Sequence, residues 1–202
     1  MRLLENFVIQ NRSYRRFDST VSIKEEELIY LIDQARKVAS AKNAQPLKYR
    51  YCLCEQEKND IFPLLSWAAL LKDWRGPKAD ERPAAYIVVC RDIEISPTEA
   101  AVWCDIGIAA QTILLSAVEL SYGGCLMGTF DRMKISEILH LGTRYIPQLI
   151  IALGRPAETA VLDQKNTTDA SVAYYRDLND VHHVPKRSLN EILLNRPKSG
   201  EI

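Results

Sequence analysis

The segment Asn11-Arg12-Ser13-Tyr14-Arg15-Arg16-Phe17 puts three guanidinium groups and a serine hydroxyl beside a strongly apolar stretch. That combination suits an anion. A guanidinium is a rigid fork of donors that meets phosphate oxygens two at a time, and a serine adds a neutral donor. A solvated basic loop has the same composition, so this segment alone leaves both readings open. A second stretch bears on the choice. After Ala35-Arg36-Lys37-Val38-Ala39 a helical pattern breaks into Ser40-Ala41-Lys42-Asn43-Ala44-Gln45-Pro46, where small and amide residues end at a proline. Amides here would serve either a ligand or an ordinary turn.

Other chemistries lack their motifs. The chain has no Gly-x-Gly-x-x-Gly after a strand, no Walker lysine loop, no His-Glu-x-x-His and no Gly-x-Ser-x-Gly. His182 and His183 are adjacent in a polar tail and read as surface residues rather than ligands. Cys52, Cys54, Cys90, Cys104 and Cys125 are odd in number with no Cys-x-x-Cys, so neither a disulfide framework nor a zinc site follows, and they read as core packing. An anion site without a side-chain catalyst is what a cofactor that carries the reaction requires.

The 202 residues fit one domain, 1–202, with enough chain to bury a core. Lys and Arg number 26, as do Asp and Glu, and this balance argues against a nucleic-acid partner. Nothing in the first ten residues has the layout of a secretory signal, and no apolar run approaches a bilayer span. A cytoplasmic protein without a membrane partner is expected.

The elements that must position these segments follow from periodicity. Leu3, Leu4, Phe7 and Val8 predict a short helix over residues 2–10 that delivers the basic segment. Ser22 and Glu25 have capping-box spacing ahead of a helix over residues 24–39. Residues 47–54 alternate as a strand that should pair with 84–90, whose unbroken apolar run suggests a central strand. Helical spacing covers residues 61–74 despite Pro63, and 97–120 is the longest helical pattern, apolar on most faces. Gly123 and Gly124 should stop that helix. A strand near 125–129, a helix near 133–139 and a strand over 148–154 come next; residues 159–171 show little periodicity, 180–187 read as extended, and 188–194 as a short capped helix. The alternation argues for an α/β (α+β) chain, a mixed sheet with helices on both faces.

Arg12-Ser13-Tyr14-Arg15 and Ser40-Ala41-Lys42-Asn43-Ala44-Gln45-Pro46 together resemble the FMN-dependent nitroreductase family. Asn11 stands where that family often has a further basic residue, and Ala39 where it often has proline. The likeness extends through Asp105-Ile106-Gly107-Ile108-Ala109-Ala110-Gln111, Gly123-Gly124-Cys125-Leu126-Met127-Gly128 and Ile151-Ala152-Leu153-Gly154-Arg155-Pro156, in order and spacing. The resemblance implies a nitroreductase-like fold and an intertwined homodimer with FMN at the subunit interface. NAD(P)H would reduce the flavin, which would then reduce a nitroaromatic, quinone or similar small-molecule acceptor in ping-pong fashion.

The resemblance also distributes roles. Arg12 and Ser13 would hold the phosphate with Lys186 and Arg187, and Arg15 would meet the pyrimidine edge of the ring. Ser40, Asn43 and Gln45 would come from the other subunit. Gly124, Cys125, Leu126, Met127 and Gly128 would pass along the other side of the flavin. Trp67, Trp74 and Tyr174 are candidates for the acceptor pocket that spacing alone does not place. Two rivals remain: a flavin enzyme of the same fold that dehalogenates or breaks down flavin, and a non-catalytic module that binds an acidic partner or RNA through Arg12 to Arg16.

Overall fold

The computed structural model describes residues 2–71, 73–165 and 171–195. Its main sheet has the strands β1 (Leu47–Cys52), β2 (Ala85–Asp92), β3 (Gly123–Met127) and β4 (Tyr145–Gly154), in the spatial order β1, β2, β4, β3, every pair antiparallel. A second sheet joins β5 (Ala160–Lys165), β6 (Tyr175–Arg176) and β7 (His182–Arg187), with β7 in the middle and parallel to β5. The parallel pairing that makes the architecture mixed is therefore this second one.

β2 is buried along its whole length, as its unbroken apolar run predicts. Alternation sends Ile87 and Val89 into one core and Tyr86, Val88 and Cys90 into the other. Helix α2 (Glu25–Ala35) covers the first core with Leu28, Leu31 and Ala35; helix α4 (Trp103–Glu119) adds Ile106, Ala109, Ala110, Ile113, Leu114 and Ala117. Helices α3 (Glu55–Ile61) and α5 (Arg132–Ile138) cover the second core with Ile61 and Ile135, beside Phe17. Each fully buried Leu, Ile or Phe contributes about 1.5–3 kcal/mol relative to exposure. Helix α1 (Leu3–Gln10) lies against α4 without a buried residue of its own.

Several local expectations change. Among the described residues the helix expected over 61–74 does not form: α3 ends at Ile61, Phe62–Leu64 forms a 3-10 turn, and Pro63, which has no N–H to donate, marks the break. α2 stops at Ala35, and its first turn is capped by Glu27, which accepts the Lys24 N–H at 2.8 Å, rather than by Ser22 and Glu25. α4 ends on left-handed Ser121, φ 62°, while Gly123 and Gly124 open β3. Their role is close approach: a Cβ at Gly124 would lie 2.5 Å from the Ala152 carbonyl oxygen. Within residues 159–171 the strand β5 forms; residues 166–170 lie outside the described residues. Glu99–Glu119 is long and apolar enough by composition to cross a membrane, contrary to expectation, yet half of its most apolar window is buried in this fold.

Candidate functional site

The basic segment leaves α1 at Asn11 and runs along β3, the open edge of the main sheet. Ser13 bridges Gly124, and the Tyr14 N–H donates to the Gly124 carbonyl at 3.0 Å. Fully buried Phe17 anchors the segment's far end by bridging Pro156. Between these anchors the Glu158 carboxylate, its side chain 1% exposed, accepts the successive backbone N–H groups of Arg15 and Arg16 and pairs with Arg176 at 2.5 Å. One buried acid thus fixes the backbone from which two arginines project.

Those arginines diverge. Arg16 donates to Glu81 at 2.8 Å and pairs with Asp180, so its charge is spent within the fold. Arg12 and Arg15 line a cleft of about 260 Å³ with Ser13, Gln111 and Leu114 of α4, Leu126 of β3, and Tyr174. The opposite wall is one face of β7, where strand alternation aligns His182, Val184 and Lys186. Arg12 donates through Nη2 to the Val8 carbonyl, yet among the described residues its Nε is buried without a partner, and so is Nδ1 of His182. Burial lowers the pKa of Arg12, which stays charged at neutral pH. Arg15 Nη1 donates to the Ser13 carbonyl at 3.2 Å and lies 3.3 Å from His182 Nε2, with its guanidinium 5.0 Å from the centre of the Tyr174 ring. The cleft is cationic, part apolar, and carries buried donors that lack acceptors.

His182 is 1% exposed, not the surface residue its place in a polar tail suggests. Burial, then the charges of Arg15, Arg176 and His183, lower its pKa from 6.5 to about 4. His183 faces away, stacked on Tyr175 with ring centres 4.7 Å apart and hydrogen-bonded to Asp163 at 3.0 Å, which raises its pKa. The neighbours therefore make opposite contributions. For His182 the unfolded chain binds a proton first, so stability falls as pH drops from its ordinary 6.5 toward about 4. The loss is expected to reach up to about 3 kcal/mol. His183 contributes stability at low pH that is lost as pH rises through its raised pKa. Denaturant unfolding of the parent and His182→Gln at pH 7 and pH 4.5 checks the first sign: the parent should lose more, and parallel profiles would remove His182 as a buried neutral group.

The second stretch lies elsewhere. Asp105, buried on α4, accepts from Ser40 Oγ at 2.6 Å and from the Ala41 N–H at 3.1 Å, while Ser40 Oγ accepts the Gln45 N–H at 2.9 Å. This knot holds Lys42, Asn43 and Gln45 at φ 54°, 52° and 53°, left-handed conformations that cost a non-glycine residue about 1–2 kcal/mol each. Asn43 and Gln45 are left exposed. Ser40 and Gln45 line a different cleft of about 350 Å³, against Ile32, Val38, Tyr49 and Ala109. One chain brings Arg12, Ser13, Arg15, Leu126 and Lys186 together and does not bring Ser40, Asn43 or Gln45 to them.

Of the remaining expected residues, Cys125 and Met127 turn their side chains into the second core, and burial pushes the Cys125 thiol up. Gly124 carries the backbone bridge, and a Cβ at Gly128 would meet nothing within 4 Å. Arg187 is a neighbour of Lys186 in alternation and pairs with Glu191 at 3.5 Å. Tyr174 lines the cleft and accepts the Leu70 N–H at 3.2 Å. Trp74 packs beneath Arg176 and Trp67 against Phe62. His182, Gln111 and Glu158 were not singled out by sequence as site residues. For His182 a signal exists, its even spacing from Lys186 on a strand; for Glu158, whose partners are backbone amides, none does. Among the described residues no group of three His, Cys, Asp or Glu side chains could hold a metal ion.

A sequence model of the nitroreductase family matches residues 8–155. YodC of Bacillus subtilis (strain 168), provisionally named an NAD(P)H nitroreductase, is 22% identical, and the alignment covers 73% of this chain and 87% of YodC. Among solved structures, a nitroreductase family protein from Clostridium novyi NT is 25% identical with a TM-score of 0.62, covering 77% of this chain and 87% of that one. A protein of Exiguobacterium sibiricum 255-15, provisionally named a nitroreductase and solved in complex with FMN, is 19% identical with a TM-score of 0.64, covering 78% and 90%.

Proposed function

This chain belongs to the nitroreductase family, and we propose that it is a homodimeric, cytoplasmic FMN oxidoreductase built as one domain. The observation that carries the reading is the pair of buried orphaned donors, Arg12 Nε and His182 Nδ1, in a cleft shared with Ser13, Arg15 and Lys186. Buried donors without acceptors are costly, and an oxygen-rich anion supplies what they lack. The residues fit FMN. When bound, FMN supplies electron transfer from NAD(P)H to a nitroaromatic, quinone or similar acceptor, each occupying the same open face in turn.

The chain's own groups bind and orient. Arg12, Ser13 and Lys186 hold the phosphate, and Arg187, which does not line the cleft, adds positive charge from the next strand position. Arg15 faces the pyrimidine edge, where a fixed cation stabilises the negative charge of the reduced ring without reorganising. Gly124, Cys125 and Met127 present backbone along the ring while Leu126 offers its side chain and Gly128 leaves open space. Ser40, Asn43 and Gln45 complete the site from a second copy, which accounts for their distance from the Arg12 cleft in one chain. The surface for that copy includes exposed Leu3, Leu4 and Val8 on α1 and Trp103 and Ile108 on α4.

Cofactor extraction with an absorbance spectrum tests the reading, and sedimentation accompanies it. The expected result is a dimer with FMN that loses flavin as it dissociates; at a hundredfold excess over its Kd, FMN should add about 2.7 kcal/mol of stability. A colourless protein whose affinity for nucleic acid falls steeply with salt would instead establish the binding module. A fully flavinated monomer would remove Ser40, Asn43 and Gln45 from the site.

A further inference from the structure

Arg15 enters the cleft held at one corner. Its Nη1 is the nitrogen that approaches both the Ser13 carbonyl, at 3.2 Å, and His182 Nε2, at 3.3 Å. Its Nε and Nη2 have no oxygen or nitrogen partner among the described residues, and the guanidinium also lies beside the Cys125 thiol. A guanidinium only donates, so the contact with His182 requires a lone pair on Nε2 and places the imidazole proton on Nδ1. The Nδ1–H is the atom left buried without an acceptor. The fold therefore accepts an orphaned donor on one side of the ring and keeps an acceptor aimed at Arg15 on the other.

The surroundings reinforce that choice. Tyr174 lies 5.3 Å from the imidazole, ring centre to ring centre, and 5.0 Å from the Arg15 guanidinium, covering both. Arg176 adds positive charge from β6, Arg12 and Lys186 face the same cleft, and His183 directs its own nitrogens to Asp163 and Asp177. Glu158 is engaged by Arg176 and by the Arg15 and Arg16 amides. Among the described residues no carboxylate is hydrogen-bonded to the His182 ring. An imidazolium here would meet a guanidinium at hydrogen-bond distance.

We infer that His182 is a positioning residue for Arg15: a neutral imidazole whose Nε2 lone pair pins one guanidinium nitrogen and so sets the orientation of the fork in the cleft. This rests on the reading that Arg15 serves the flavin ring edge. It makes the orientation of Arg15, and not only its charge, a determinant of how well reduced flavin is stabilised. Protonation of the ring would turn the pin into a repulsion and release the guanidinium.

The test has two arms. The first is nitrogen NMR of the histidine side chains in the flavin-free protein, with His182 assigned by substitution. The expected signature is a protonated Nδ1, a bare Nε2 and no titration down to about pH 5. A proton on Nε2, or titration near the ordinary histidine value, overturns the inference. The second arm uses FMN-loaded protein. His182→Leu should lower the flavin midpoint potential and slow its reduction by NAD(P)H roughly tenfold, in the direction Arg15→Ala does. His182→Gln, whose Oε1 can stand near the Nε2 position, should retain both. Added to Arg15→Ala, His182→Leu should change neither further, because Arg15 is then no longer there to position. Additive losses overturn the inference. Should leucine prevent folding, His182→Asn, whose amide stops near the Nδ1 position, replaces it, and Gln must outperform Asn. A protein that binds no FMN at all would defeat the proposed function, while the NMR arm would still decide whether His182 holds Arg15.

Discussion

Glu158→Ala is expected to destabilise the chain by about 3–5 kcal/mol, the range for breaking a buried ion pair by removing one partner. The carboxylate is 1% exposed and serves three donors: the amides of Arg15 and Arg16 and the guanidinium of Arg176. Alanine would leave those amides without an acceptor, and buried donors so stranded cost about 1–3 kcal/mol each. Arg176 would keep Asp180, at 3.1 Å, but Asp180 is largely exposed and a weak substitute. Because Arg15 projects from the freed backbone, ligand binding should fall with stability. Glu158→Gln keeps an acceptor oxygen and should lose less. Urea unfolding of the three proteins measures this, and a loss under about 1 kcal/mol for alanine would show that the amides find other acceptors.

The second large effect is a difference between two ligands. Arg12→Ala should weaken FMN by about one to two decades and riboflavin far less, since a charge-assisted contact is worth about 1.5–3 kcal/mol and riboflavin lacks the phosphate. The basis is the position of the side chain: Nη2 is satisfied by the Val8 carbonyl, which orients the guanidinium, while the buried Nε has no partner. Fluorescence titration of both flavins compares the two affinities. Equal losses would take Arg12 away from the phosphate.

The core was legible in the sequence wherever periodicity was strong. The unbroken apolar run at 84–90 predicted a central strand, and the long apolar pattern over 97–120 predicted the core helix α4. The region after Ile61 was misread because apolar spacing continues past Pro63, whereas the missing N–H stops the helix there. At the site, residue type was enough to nominate Arg12 and Ser13, while Lys186 came only from the family resemblance, and the three share a cleft. His182 was read as surface because its neighbours in sequence are polar. Its burial comes from Tyr174, which the local pairing of β6 with β7 brings over it, and from Arg15, 167 residues away in sequence. Asp105 likewise gave no sign that it knots the Ser40 turn from 65 residues away.

Among the described residues the second sheet contributes no side chain to either apolar core. Its described ties to the rest of the fold are polar or cation–π: Glu158 with Arg176, Asp180 with Arg16, His182 with Arg15, and Arg176 over the Trp74 ring. Such a unit can open while the main sheet stays closed, since local opening is cheapest where few apolar contacts must be broken. Hydrogen exchange should therefore find the amides of β7 exchanging ahead of those of β2 and β4. As β7 carries the wall of His182, Val184 and Lys186, each such opening would unroof the cleft, and a ligand spanning both walls would slow exchange in β7 most.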